Sequence, residues 1–187
     1  MRASTAALIG LTGLGLFQAA SAAVIPAKAV AAQVLLDRAF ERSLADHRPT
    51  KPWPWADMAP VARVTIPRLG FEAIVMNKGS GQALAFGPSL VPGTADPGDN
   101  GTSVIAAHRD THFRALEDVR AGDLVEVEDL AGKTTGYRVT AMNVTRWDGF
   151  AVSSDRSESR LALVTCFPFG GQTRGPLRYV VQAVRMR

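Results

Sequence analysis

Three residues of the sequence carry side chains that could act together in acyl transfer: Cys166, His108 and Arg178. A cysteine attacks a carbonyl carbon as its thiolate, and a free thiol ionises only near a pH of about 8.5, so a neighbouring imidazole or guanidinium favours the reactive form. An imidazole can also protonate a departing amine. A guanidinium can donate hydrogen bonds to a carbonyl oxygen on which negative charge develops. The three residue types therefore suit a cysteine enzyme that cleaves an amide bond.

Each of these residues also has a purely structural interpretation. Cys166 is the one cysteine of the chain, so it cannot form an intramolecular disulfide, and it could be an apolar core residue instead of a reactive thiol. His108 could end a solvated loop, and Arg178 could be an ordinary charge on an edge strand. Proximity among the three would separate these interpretations.

The elements that would hold these residues are short strands. Segments rich in β-branched and aromatic residues alternate with turns that contain Gly, Pro, Asn and Asp. Many short strands with few helices are typical of a small closed or nearly closed barrel. His108, Cys166 and Arg178 then fall at strand ends, where a rigid scaffold positions side chains that a substrate can reach. We predict strands over Val61–Ile66, Phe71–Met76, Thr102–Ala107, Leu124–Glu128, Tyr137–Thr145, Leu161–Thr165 and Leu177–Val184, and a short helix over Thr111–Val119.

The N-terminal segment is predicted to direct the chain into the secretory pathway. Residues 3–27 carry no charged side chain, and a helix that crosses a bilayer needs about 20 apolar residues. We therefore interpret 1–27 as a signal anchor. The small residues at Ala20–Ala22 leave a cleaved signal peptide, with a mature chain that starts at Ala23, as the alternative.

Residues 28–59 are predicted to connect this anchor to the folded domain. Apolar residues at helical spacing indicate a stalk helix over 26–45. A group of prolines then prevents the helix from continuing and gives a stiff, extended connector. We interpret Trp53 and Trp55 within it as covering the flank of the barrel or lying at a membrane interface. The catalytic domain is expected over 60–187.

Composition excludes several other classes of function. The net charge is +4, with Lys and Arg scattered along the chain, so nucleic-acid binding has little support. A single cysteine cannot form a thiolate-rich structural zinc site. The sequence has no acidic cluster that would suggest a calcium site, and we therefore expect no metal or cofactor.

Three segments, taken together and in their order, resemble the sortase family. Ala107–Asp110 is similar to the segment around the sortase histidine, Leu163–Cys166 to the nucleophile motif, and Leu177–Val181 to the arginine strand. The resemblance covers about 60–187, and the connector of prolines and tryptophans looks like that of the sortases of Gram-negative bacteria. It implies a mainly β fold, an eight-stranded sortase barrel with one or two short helices, preceded by an N-terminal membrane-anchor helix.

The same resemblance implies an activity and a partner. Cys166 would attack a carbonyl in a C-terminal sorting signal, commonly of the Leu-Pro-x-Thr-Gly type, to form a thioacyl enzyme. His108 would protonate the departing amine, Arg178 would stabilise the oxyanion, and an incoming amine would resolve the thioester. The partner would be a substrate protein with such a signal. The catalytic domain would face the periplasm from a single-pass anchor in the inner membrane.

Other functions remain open at this level. Water could replace the amine, which would make the protein a sorting-signal peptidase. A non-enzymatic, envelope-binding barrel would use the same groove for recognition alone. An L,D-transpeptidase is also a secreted cysteine enzyme, but its Ser/Thr-x-Gly-Cys motif is absent from this sequence. His112 is predicted to be structural, and Thr165 either supports the nucleophile with its hydroxyl or is an ordinary strand residue.

Overall fold

The computed structural model describes residues 12, 18, 30–78, 81–152, 155–171 and 175–186. Eight strands make up the body of the fold. They close into a barrel with the order β1-β2-β3-β4-β7-β8-β6-β5, which confirms the predicted eight-stranded, mainly β architecture. The strands are β1 (Pro60–Ile66), β2 (Phe71–Met76), β3 (Ser89–Leu90), β4 (Gly101–Ala106), β5 (Leu124–Asp129), β6 (Thr134–Arg146), β7 (Ser159–Cys166) and β8 (Leu177–Arg185).

Short helical elements accompany the barrel. A helix, α1, covers 30–46 among the described residues, and α2 covers Gly81–Phe86 between β2 and β3. Single 3-10 turns occur at Pro67–Leu69 and Arg114–Asp118. The helix predicted over Thr111–Val119 is therefore shorter than expected and of the 3-10 type.

The interior of the barrel is filled by alternate residues of the strands. In a strand successive side chains point to opposite faces, so residues two apart share a face. Most inward positions of β1, β7 and β8 are apolar and buried, and they form one cluster with the aromatic rings of Phe113 and Tyr137. These inward positions include Ala62, Val64, Ile66, Leu161, Leu163, Val181 and Ala183.

A second apolar surface lies on the outside of the barrel. The outward residues Val104 of β4, Ala162 of β7 and Val180 of β8 form a separate cluster, joined by the partly buried Val91, Phe150 and Val164. The β6–β7 connection supplies Phe150 to this cluster. We call these six residues the outer-face cluster. They put an apolar strip across three adjacent strands, in the order β4-β7-β8.

The α1 helix packs on the flank of the barrel. Leu36 is fully buried against residues that include Ala56, Met58 and Met76. Trp53 packs edge-on against Phe86 with 5.2 Å between ring centroids. Trp53 thus covers the flank as predicted.

Trp55 differs from Trp53 because it is 79% exposed, so it does not cover the barrel. The anchor predicted over 1–27 lies almost wholly outside the described residues. Within the described ranges, no helix combines the length and the apolar character that crossing a bilayer requires.

Candidate active site

The strand register brings the three predicted site residues to one level of the barrel. Cys166 at the end of β7 is the direct antiparallel partner of Arg178 at the start of β8. On the other side, β7 pairs in parallel with β4 through Ala106↔Val164. When that register is extended by two residues, His108 falls at the level of Cys166. Adjacent strands lie about 4.8 Å apart, so Cys166 and Arg178 are direct neighbours, and His108 follows the end of β4 on the other side of Cys166.

The nucleophile candidate lies on the outer face of the barrel. Leu161, Leu163 and Thr165 alternate along β7 and point inward, which puts Cys166 on the same face as Ala162 and Val164. Cys166 is half-buried and forms no disulfide, so its thiol is available. The outer-face cluster begins directly beside it.

Thr165 joins the end of β7 to the residue that precedes His108. Its side chain is 2% exposed, and its Oγ1 donates a hydrogen bond of 2.8 Å to the carbonyl oxygen of Ala107. The Ala107 N–H donates to the Val164 carbonyl oxygen at 3.2 Å. Because Thr165 points into the barrel, its hydroxyl supports the backbone beside the histidine and does not face the outer groove.

Arg178 has part of its guanidinium held by its own loop. Nη1 donates to the carbonyl oxygens of Gly175 at 3.0 Å and of Leu177 at 2.9 Å. A guanidinium has five N–H donors, and among the described residues Nε and Nη2 have no hydrogen-bond acceptor. The group is therefore positioned at the start of β8 and keeps donors free for a carbonyl oxygen of a bound peptide.

Arg109 is a site residue that sequence reasoning missed. It directly follows His108 yet is only 8% exposed. Its Nε and Nη2 donate to the two carboxylate oxygens of Asp110 at 2.7 and 3.0 Å, and its Nη1 donates to the Pro168 carbonyl oxygen at 2.6 Å. Nη2 also donates to the Gly171 carbonyl oxygen. The hydrogen bonds from Arg109 hold the pKa of Asp110 below its usual value.

His112 has a structural place next to the site, as predicted. It is half-buried, and this burial lowers its pKa below the usual value. A hydrogen bond with the Ala85 carbonyl oxygen opposes the shift, while the nearby charge of His108 adds to it. The ring therefore contacts the end of α2 and does not replace His108.

Three aromatic rings close in sequence to Cys166 and Arg178 pack against one another. Phe167 stacks on Tyr179 with 6.3 Å between centroids, and Phe169 meets Tyr179 edge-on at 5.2 Å. Burial raises the pKa of Tyr179.

Among the described residues, no group of three or more His, Cys, Asp or Glu side chains is arranged to hold a metal ion.

Comparison with known proteins assigns the chain to a family. The model of the sortase domain matches residues 64–186. The chain belongs to the sortase family. Sortase D of Bacillus subtilis (strain 168) is 26% identical over 121 residues, which cover 65% of this chain and 61% of that protein.

Solved sortase structures agree with the fold. Sortase A from Corynebacterium diphtheriae superposes with a TM-score of 0.64 and 26% identity, covering 71% of this chain and 63% of that one. A Clostridium perfringens Sortase D5 transpeptidase gives a TM-score of 0.66 at 20% identity, covering 83% of this chain and 96% of that one, and supports the fold alone. This chain spans less than two thirds of the Bacillus and Corynebacterium relatives. The predicted Gram-negative class stays a prediction.

Proposed function

We propose that this sortase is a cysteine transpeptidase that cleaves a C-terminal sorting signal of the Leu-Pro-x-Thr-Gly type and transfers the protein to an amine. The observation that supports the proposal is the pairing of Cys166 with Arg178 across β7 and β8, with His108 two residues beyond the end of β4 on the other side of β7. Val104, Ala162 and Val180 of the outer-face cluster are at most 3% exposed, so the apolar side chains of a signal would contact its partly exposed members Val91, Phe150 and Val164. The half-buried thiol would then meet a backbone carbonyl that follows those side chains in the signal.

The proposed reaction first transfers an acyl group from the signal to Cys166 and then from Cys166 to an amine. The Cys166 thiolate forms a bond to the carbonyl carbon, and Arg178 donates hydrogen bonds to the resulting oxyanion. The oxyanion collapses, the amide bond breaks, and His108 transfers its proton to the leaving amine. An incoming amine then attacks the thioester, gives up a proton to His108, and releases the thiolate.

The test is a peptide assay with two acceptors. A Leu-Pro-x-Thr-Gly peptide is incubated with the purified domain, with and without triglycine, and the products are identified by mass spectrometry. Transfer to triglycine supports the proposal, and release of free acid in the presence of triglycine indicates a peptidase. A protein that binds the peptide without cleaving it, and whose Cys166 is not labelled by an electrophilic peptide analogue, would be a binding barrel.

We also propose that the N-terminal segment tethers the domain to the inner membrane so that it faces the periplasm. The proposal is supported by the uncharged residues 3–27, and it rests on the proposed substrate being an exported protein. N-terminal sequencing of the membrane fraction tests it. A mature chain that begins at Ala23 would show that the segment is removed.

A further inference from the structure

Arg109 connects the two segments that flank the active site. Its guanidinium reaches the carbonyl oxygens of Pro168 and Gly171, which are 59 and 62 residues away along the chain. Pro168 and Gly171 belong to the turn that directly follows Cys166, and Arg109 directly follows His108. One buried side chain therefore ties the start of the β7–β8 connection to the histidine segment.

Gly171 provides independent evidence that this contact is closely fitted. A Cβ atom on Gly171 would lie 3.2 Å from Nη1 of Arg109 and 3.1 Å from both Cγ and the carbonyl oxygen of Pro168. These distances are tighter than ordinary van der Waals contacts between carbon and a neighbour. The glycine lets its backbone approach the guanidinium, so a methyl group at 171 would press on the contact while Arg109 stays intact.

The charge of Arg109 is satisfied inside the protein. A buried charge is stable only when it is paired and its donors find acceptors, and here a carboxylate and two backbone carbonyls supply them. The hydrogen bond to Asp110 raises the pKa of Arg109 against the opposing effect of burial, and the charges of Asp110 and of Cys166 add to it. The guanidinium is thus held near the nucleophile.

We propose that Arg109 is a positioning residue for the transfer reaction: it clamps the turn 167–171 against the His108 segment and so fixes the geometry between nucleophile, histidine and bound peptide. The inference rests on the proposed function. The ladder between β4 and β7 ends at Ala106↔Val164, with a last hydrogen bond from the Ala107 N–H to the Val164 carbonyl oxygen, so the segments beyond it need another connection. Arg109 supplies that connection from the side of the histidine.

Three variants of the contact, Arg109→Gln, Arg109→Lys and Gly171→Ala, and one matched control test the clamp. Arg109→Gln removes the charge and most of the donors, and Gly171→Ala disturbs the same contact with the guanidinium present. The matched control is Arg68→Gln, because Arg68 also donates to both oxygens of a carboxylate, that of Asp123, and to a backbone carbonyl, that of Asp118. Each protein is measured for its melting temperature, for kcat and KM with the peptide, and for hydrogen exchange of the amides in 167–171.

We expect Arg109→Gln to lower kcat by about 30-fold or more, since misplacement by about 1 Å costs up to about 100-fold. KM should change less than threefold, since the outer-face cluster is untouched. Gly171→Ala should shift kcat in the same direction, and Arg109→Lys should recover part of the loss because it keeps the charge but lacks the fork. Arg68→Gln should lower the melting temperature as much as Arg109→Gln does and leave kcat within threefold.

Loss of kcat in Arg68→Gln equal to that in Arg109→Gln, or unchanged kcat in both clamp variants, would overturn the inference. The exchange measurement is independent of the substrate. If the wild-type protein cleaves no peptide, the proposed function fails, and faster exchange at 167–171 in Arg109→Gln and Gly171→Ala but not in Arg68→Gln still supports the clamp. Equal exchange in all proteins refutes it.

Discussion

Thr165 offers a way to separate the stability of the barrel from the placement of the histidine. Its hydroxyl donates to the Ala107 carbonyl oxygen at 2.8 Å, while its methyl group is buried in the barrel. Thr165→Val removes the hydrogen bond and keeps the shape. Thr165→Ser keeps the hydrogen bond and loses the methyl group. Thr165→Val therefore removes only the hydroxyl, and Thr165→Ser removes only the methyl group.

The two variants are expected to cost similar stability. Loss of a buried hydrogen bond that leaves a carbonyl without a donor costs about 1–2 kcal/mol, and loss of one buried methyl group costs about 1 kcal/mol. For a domain of this size each change should lower the melting temperature by about 3–8 °C. Calorimetry or thermal circular dichroism measures this directly. Stability alone will not distinguish Thr165→Val from Thr165→Ser.

Activity should distinguish them clearly. Without the hydroxyl of Thr165, the backbone of Ala107 loses a tie to β7 and His108 is less well placed, so we expect Thr165→Val to lower kcat by about 10-fold or more. Thr165→Ser should stay within about threefold of wild type, with both assays run well below the melting temperature. Equal kcat values for the two variants would refute the reasoning, because the hydroxyl would then have no effect on the histidine.

Three further predictions concern the site itself. Cys166→Ala should abolish cleavage while the melting temperature stays within a few degrees of wild type, and any turnover by the purified variant contradicts the role of the thiol. Arg178→Ala should lower kcat and kcat/KM together by about 100-fold, with partial recovery in Arg178→Lys, whereas a rise in KM alone would mean that Arg178 only binds substrate. The pKa of His112 is lowered mainly by burial. Its contribution to the stability of the fold is therefore fully present above the unfolded pKa of about 6.5. This contribution is lost as the pH falls through the lower pKa of the folded state. The free energy of unfolding, measured with urea at pH 7.5 and 5.0, should fall less for His112→Gln than for wild type, and an equal fall would show that other groups titrate.

Most of the strands could be predicted because their pattern is local. Alternation of apolar and polar residues indicates β1 and β5, and short apolar runs bounded by turn residues indicate β2 and β7, without any knowledge of their partners. β3 has only two residues, Ser89 and Leu90, and is defined by pairing with Met76 on one side and with β4 on the other. Such a strand has no local signal. The six-residue α2 was missed for a similar reason, since it is too short to show a helical period.

The site could be predicted in part. Cys166, His108 and Arg178 could be identified because their segments resemble the sortase segments and occur in the same order. Their common level depends on the register of β7 with its two neighbours, which the sequence does not show. The role of Arg109 depends on acceptors about 60 residues away. A buried arginine next to an exposed histidine looks like any loop charge until the fold is known.

The strand order also explains why, among the described residues, the Thr165 hydroxyl and the Arg109 guanidinium join the end of β7 and its turn to the histidine segment. β7 lies between β4 and β8, and the pairing with β8 continues through Cys166↔Arg178 to a hydrogen bond of 3.1 Å from the Phe167 N–H to the Leu177 carbonyl oxygen. Arg178 therefore needs only the sheet to hold its backbone. The pairing with β4 stops before His108, so the histidine backbone has left the sheet at the point where its position matters. The Thr165 hydroxyl and the Arg109 guanidinium both act across this gap, which is why we expect their loss to reduce turnover more than their share of the stability would suggest.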